Sequence, residues 1–139
     1  MINVDATMAA NAVWQCFQDN RDKHGDPVIH EMAHTLNHIV FESINELYFY
    51  ENIYKLAEEA LESGDWEEGA QSIAEGGSLN HMIGEFFAMN TENFIISNRS
   101  DDKYGTRENI KKYKPAMYEL YARYYPTEPW SYCNDDVKN

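Results

Sequence analysis

The sequence predicts a mainly α-helical fold, a single compact helical domain over residues 1–139. Three observations carry this. Apolar residues recur at three- and four-residue spacing, as in Ile53, Leu56, Ala57, Ala60 and Leu61. Helix start and stop signals punctuate the chain: Asp26 before Pro27, Ser63-Gly64, Gly76-Gly77, Ser78, Thr106 and Pro115. No stretch reads as a strand, and neither an internal repeat nor a low-complexity segment is visible. With 139 residues, 43% of them hydrophobic and 14% aromatic, the chain is long enough to bury one core and too short for two domains.

Taken in order, Asp5 is a suitable cap for a first helix with Met8, Ala9, Ala12, Val13, Cys16 and Phe17 along one face, ending near Asn20. Residues 21–25 form a polar connection. Asp26 then caps a second helix with Pro27 at its first position. Val28, Ile29, Met32, Ala33, Leu36, Ile39 and Val40 read as its core-facing stripe, and the pattern continues through Phe41, Ile44 and Leu47. Its phase becomes ambiguous over 48–52, where a bend or break is expected. The next helix points Ile53, Leu56, Ala57, Ala60 and Leu61 inward and stops at Gly64.

A short helical piece opens at Asp65-Trp66 and runs to about Ala74, and Gly76-Gly77 breaks the chain. Ser78 caps a long helix over 79–96 with Met82, Phe86, Met89 and Phe94 among its apolar positions. Residues 98–105 are a polar loop. Thr106 caps a short helix to Lys112, and Pro115 starts a last one through Tyr124, stopped by Pro126. Tyr118, Tyr121 and Tyr125 fall at helical spacing and read as packing residues.

The chemistry concentrates in the second helix, at His30-Glu31-Met32-Ala33-His34. Residues four apart on a helix lie one above the other, so the two imidazoles can share one metal ion with Glu31 beside it. This is the H-E-x-x-H arrangement of zinc peptidases: zinc polarises a carbonyl and acidifies water, and the glutamate takes the proton and passes it to the leaving amine. A catalytic zinc has three protein ligands. The downstream candidates are Glu75, His81, Glu85 and Glu92. Glu85 is best placed, mid-helix among the apolar neighbours of Gly84-Glu85-Phe86-Phe87-Ala88, where a buried carboxylate would need a partner. His38, at i+8 from His30, stands roughly 12 Å further along the axis, and is read as a helix-edge or second-shell residue.

Charge narrows the partners. The net charge is −13, and fourteen acidic residues but a single base, Lys55, lie between residues 26 and 92; six of the eleven Lys and Arg fall between 99 and 114. Nucleic acid is therefore not an expected partner. The acidic half reads either as a solvated surface or as a field that steers basic peptide substrates toward the zinc. No apolar run reaches the length of a membrane span, and the start lacks the basic and apolar regions of a signal peptide, which leaves cytoplasmic and secreted locations both open. Cys16 and Cys133 read equally as one disulfide or as two buried thiols.

The pairing of His30-Glu31-Met32-Ala33-His34 with the later Glu85-Phe86-Phe87-Ala88 resembles the gluzincin endopeptidases of the anthrax lethal factor type. Gly64-Asp65-Trp66 is similar to their Gly-Leu-Trp element. Thr106-Arg107-Glu108, Tyr113-Lys114-Pro115 and Trp130-Ser131-Tyr132 are similar to their closing segment, so the resemblance spans residues 26–132. It implies a zinc metallopeptidase with His30, His34 and Glu85 as ligands, Glu31 as general base and a peptide or protein as substrate.

Three departures accompany it. No tyrosine lies between Trp66 and Glu85, which turns attention to His81, Tyr104 or Tyr113 for an oxyanion donor. Met89 stands where the family has a carboxylate that orients a zinc-bound imidazole, with Asn90 and Glu92 as substitutes. Residues 1–25 read as helix where the family has an edge strand for binding extended peptide. They motivate an alternative reading, a zinc-stabilised helical binding module with impaired catalysis.

Overall fold

The structure, a computed structural model, describes residues 27–97 and 103–128; the first predicted helix, Cys16, Cys133 and Trp130 to Tyr132 lie outside them. The described residues are mainly helical and contain no strand. Helix α1 (Pro27–Thr35) continues without a break through a π-helical stretch (Leu36–Phe41) and a last turn (Glu42–Ile44). Asn45, at φ 50°, ends it in the left-handed conformation that asparagine tolerates better than most residues. Helix α2 (Leu47–Ser63) follows at once. The expected break over 48–52 therefore lies earlier, at Asn45-Glu46, because the backbone conformation of one asparagine decides it rather than a loss of apolar phase.

Gly64, at φ 79°, stops α2, its N–H and that of Asp65 satisfying the carbonyls of Ala60 and Leu61. Helix α3 (Glu67–Ala74) packs so closely on Trp66 that a Cβ at Gly69 would come within 2.4 Å of the indole. Ser78 caps α4 (Leu79–Ile96) by accepting from the N–H of His81, and Thr106 caps α5 (Arg107–Tyr113) by accepting from that of Asn109. Helix α6 (Pro115–Tyr124) opens on its proline.

Helix α4 is central, touching α1, α2, α3 and α5. One apolar cluster joins Ala33 and Phe41 to Phe49, Ile53 and Ala57 of α2, Phe86, Phe87 and Phe94 of α4, Ile110 of α5, and Leu120 and Tyr121 of α6. Its aromatic rings interlock: Phe87 lies 4.8 Å from Phe49 and 5.6 Å from Tyr121, whose hydroxyl donates to the Phe87 carbonyl. Buried Arg107 closes the far end of α4 by donating to the carbonyls of Phe94 and Ile95, and to that of Thr127.

The apolar stripe of α1 divides in two. Ile29, Ala33, Asn37 and Phe41 face the core, whereas Met32, Ile39, Val40 and Ile44, expected inward, are exposed, as is Leu47 at the start of α2. Seven apolar positions in thirteen residues cover more than one helix face. The turn pointing at α4 takes only every fourth residue.

Candidate metal centre

Helix α1 holds His30 and His34 one turn apart on the side that meets α4, and their rings stand edge to face with centroids 4.9 Å apart. Glu85, on α4, reaches both. Its Oε2 lies 3.1 Å from His30 Nε2, its Oε1 lies 3.0 Å from His34 Nε2, and the two Nε2 atoms are 3.2 Å apart. A ligand atom from each of the three lies within 4.8 Å of the others. Bonds of about 2.0–2.1 Å in a tetrahedral site put neighbouring donors roughly 3.3 Å apart, so two imidazole nitrogens and a carboxylate at these separations fit zinc in both donor type and spacing.

Glu85 is not buried as its apolar neighbours suggested; its side chain is 52% exposed. Phe86, Phe87 and Ala88 turn into the core and leave Glu85 on the flank of α4 facing the histidine pair. The helices lie close at Gly84, where a Cβ would make an ordinary 3.5 Å contact with His34 Nδ1.

Glu92, two turns beyond Glu85, accepts a 2.9 Å hydrogen bond from His30 Nδ1, and its side chain is only 13% exposed. Because a carboxylate only accepts, Nδ1 carries the hydrogen in this bond, and Nε2, which lies 3.1 Å from Glu85 Oε2, is the nitrogen that would ligate an ion once deprotonated. The hydrogen bond to Glu92 is the main reason that His30 titrates above its ordinary value of 6.5, aided by the charges of Glu92 and Glu85 against the cost of burial. Glu92 thus does what the residue at Met89 cannot, while Asn90 is buried and donates to the Phe86 carbonyl.

A cleft of about 400 Å³ opens beside the centre, with His34 and Glu85 in its wall. Asn37, His38, Tyr50, Tyr54 and His81 also line it. His38 pairs with Glu42 at 3.0 Å rather than joining the His30 group. The Tyr50 hydroxyl donates to Asn37 Oδ1. Tyr50 and Tyr54 are the residues that sequence reasoning missed; their i, i+4 spacing on α2 was visible, but only the packing of α2 against α4 brings them beside Glu85.

Tyr104 and Tyr113 stand outside this cleft. They pack edge to face, and the Tyr104 hydroxyl donates to Asp65, which also pairs with Lys114 at 2.9 Å. Glu75 is likewise elsewhere, accepting from Gln71. Glu31 is half-buried on the turn of α1 between the two histidines.

Compared with known proteins, the chain matches no family model, no curated protein and no solved structure. The functional reading therefore rests on the residues themselves.

Proposed function

We propose that the chain is a zinc-dependent metallopeptidase of the lethal factor-like group. The observation that carries this reading is the convergence of His30, His34 and Glu85, with Glu92 behind His30 and Glu31 next to the first ligand. Zinc at this centre would supply Lewis acidity and a water acidic enough to ionise near neutral pH. His30 and His34 would hold the ion from one helix and Glu85 from another, so the site needs the packed α1–α4 pair. Glu31 takes the proton of the attacking water and returns it to the leaving amine.

The cleft beside Glu85 is the place for the substrate residue flanking the scissile bond. His81, one turn before Glu85 on α4, and the Tyr54 hydroxyl line the cleft as donors for a developing oxyanion, whereas the Tyr50 hydroxyl already donates to Asn37. Acidic residues dominate the chain from 26 to 92, which favours basic peptides by steering. Among the described residues no helix is long and apolar enough to cross a membrane.

The second reading, a zinc-stabilised binding module, draws on Tyr104 and Tyr113 lying outside the cleft. Glu31→Gln separates the two. Screened on basic peptide libraries, the wild type should cleave, and the variant should lose on the order of a hundredfold or more in kcat while holding zinc as before. A wild type that binds zinc and such peptides without cleaving them supports the module. Cleavage that survives in the variant removes Glu31 as the base.

A further inference from the structure

The cleft beside the metal centre carries a charge pattern that the peptidase reading leaves unused. Among the described residues its wall holds two carboxylates, Glu42 and Glu85, and neither a lysine nor an arginine. An ion at the centre would occupy Glu85, which leaves Glu42 as the carboxylate open to a ligand. Glu42 stands in the last turn of the helix that begins as α1, and a helix C-terminal end is itself favourable to a cation. Its Oε1 pairs with His38 Nδ1 at 3.0 Å, and its carboxylate has no further partner among the described residues. A neutral imidazole donating there leaves the carboxylate its full charge.

The opposite wall suits a cation as well. Tyr50 and Tyr54, one turn apart on α2, line the same cleft, and tyrosine rings attract a guanidinium or an ammonium group. The Tyr50 hydroxyl is raised above its ordinary value of 10.0, by burial first and then by the charge of Glu42, so that charge is felt on the α2 side. At about 400 Å³ the cleft has room for one long side chain with its waters.

We propose that the cleft is a specificity pocket for an arginine or lysine side chain, with Glu42 as its counter-ion. This rests on the peptidase reading for its substrate, and it puts the basic residue next to the scissile bond, because Glu85 is both a proposed ligand and part of the cleft wall. The pocket acts differently from the field of the acidic half. Steering draws in a whole basic peptide and fades with salt, whereas pairing with one carboxylate selects the residue at one position.

The test runs binding and cleavage side by side at about 0.15 M salt, where steering is screened. Binding of Nα-acetyl-arginine amide and of Nα-acetyl-citrulline amide, its uncharged near-isostere, is followed through the His38 and His81 ring signals by NMR. The arginine compound should bind about fivefold more tightly, the upper end for a partly exposed ion pair. Glu42→Gln should bring the two within about twofold, and Glu42→Lys should turn the preference toward Nα-acetyl-glutamate amide. Equal binding of the arginine and citrulline compounds to the wild type overturns the proposal without need of a variant, as does a preference that Glu42→Gln leaves unchanged. Peptides that differ only in arginine or citrulline beside the scissile bond should show the same ratio in kcat/KM. Cleavage of both at equal rates overturns the pocket and leaves the peptidase reading standing. Arginine-selective binding that depends on Glu42, with neither peptide cleaved, supports the pocket and counts against the peptidase reading.

Discussion

Glu92 offers the sharpest test of how the metal centre is held. It stands behind the proposed ligands, and its carboxylate holds the His30 ring through a 2.9 Å hydrogen bond to Nδ1. Glu92→Ala leaves His30 Nδ1 without its acceptor in a largely buried position. Loss of such an orienting carboxylate weakens metal binding by about 10- to 100-fold, or roughly 1.4–2.7 kcal/mol. Glu92→Gln keeps an acceptor but not the charge and should fall in between. Two effects oppose each other, because removing Glu92 also removes the main cause of the raised His30 pKa and so reduces competition from protons. That competition shrinks as pH rises above the His30 pKa, so the loss of orientation dominates on the alkaline side.

The assay is zinc competition against a chromophoric chelator near pH 8, paired with an NMR titration of the His30 ring in metal-free protein. Zinc affinity should drop in the order wild type, Glu92→Gln, Glu92→Ala, and the His30 pKa should move down toward 6.5 in both variants. An affinity within twofold of wild type for Glu92→Ala, together with an unmoved His30 pKa, would refute the reasoning.

Three further outcomes are expected. In metal-free protein the raised pKa of His30 contributes stability that is complete below pH 6.5 and disappears as pH rises through the folded-state value. Zinc needs the neutral imidazole, so the stabilisation it adds should instead grow with pH, and melting curves taken across pH 5–8 with chelator and with zinc should diverge upward. Gly69→Ala forces a methyl against the buried Trp66 indole, which packs 4.9 Å from Phe86, and should cost about 1–3 kcal/mol in denaturant unfolding. Arg107→Met strips three backbone carbonyls of their donor and removes a cation from the C-terminal end of α4, so it should cost on the order of 2–4 kcal/mol; an unchanged midpoint would show that water replaces the guanidinium freely.

Much of the helical framework was legible because it is written in local chemistry. Ser78, Thr106, Pro115 and Gly64 end or begin helices in the structure where their capping preferences predict. The i, i+4 histidine pair was equally local, and a later glutamate was the natural partner to seek. What could not be read was orientation across helices. Glu85 has apolar neighbours that turn into the core while its own side chain does not, so its exposure depended on which side of α4 met α1. Met32 and Val40 looked like core residues because nothing in the pattern distinguishes the side of α1 that meets α4 from the side that does not. Glu92 was one of two substitutes for the missing carboxylate, and only the two-turn reach along α4 to His30 singled it out. The left-handed Asn45 was a readable signal, since asparagine is favoured there, but the continuing apolar pattern obscured it.

The central claim is that His30, His34 and Glu85 hold one zinc ion. Elemental mass spectrometry of the purified chain, beside Glu85→Ala, tests it most directly. The account predicts one zinc per chain in the wild type, lost or markedly weakened in the variant. A wild type that takes up no zinc even in excess metal, or a Glu85→Ala variant that holds it as tightly, would contradict the account.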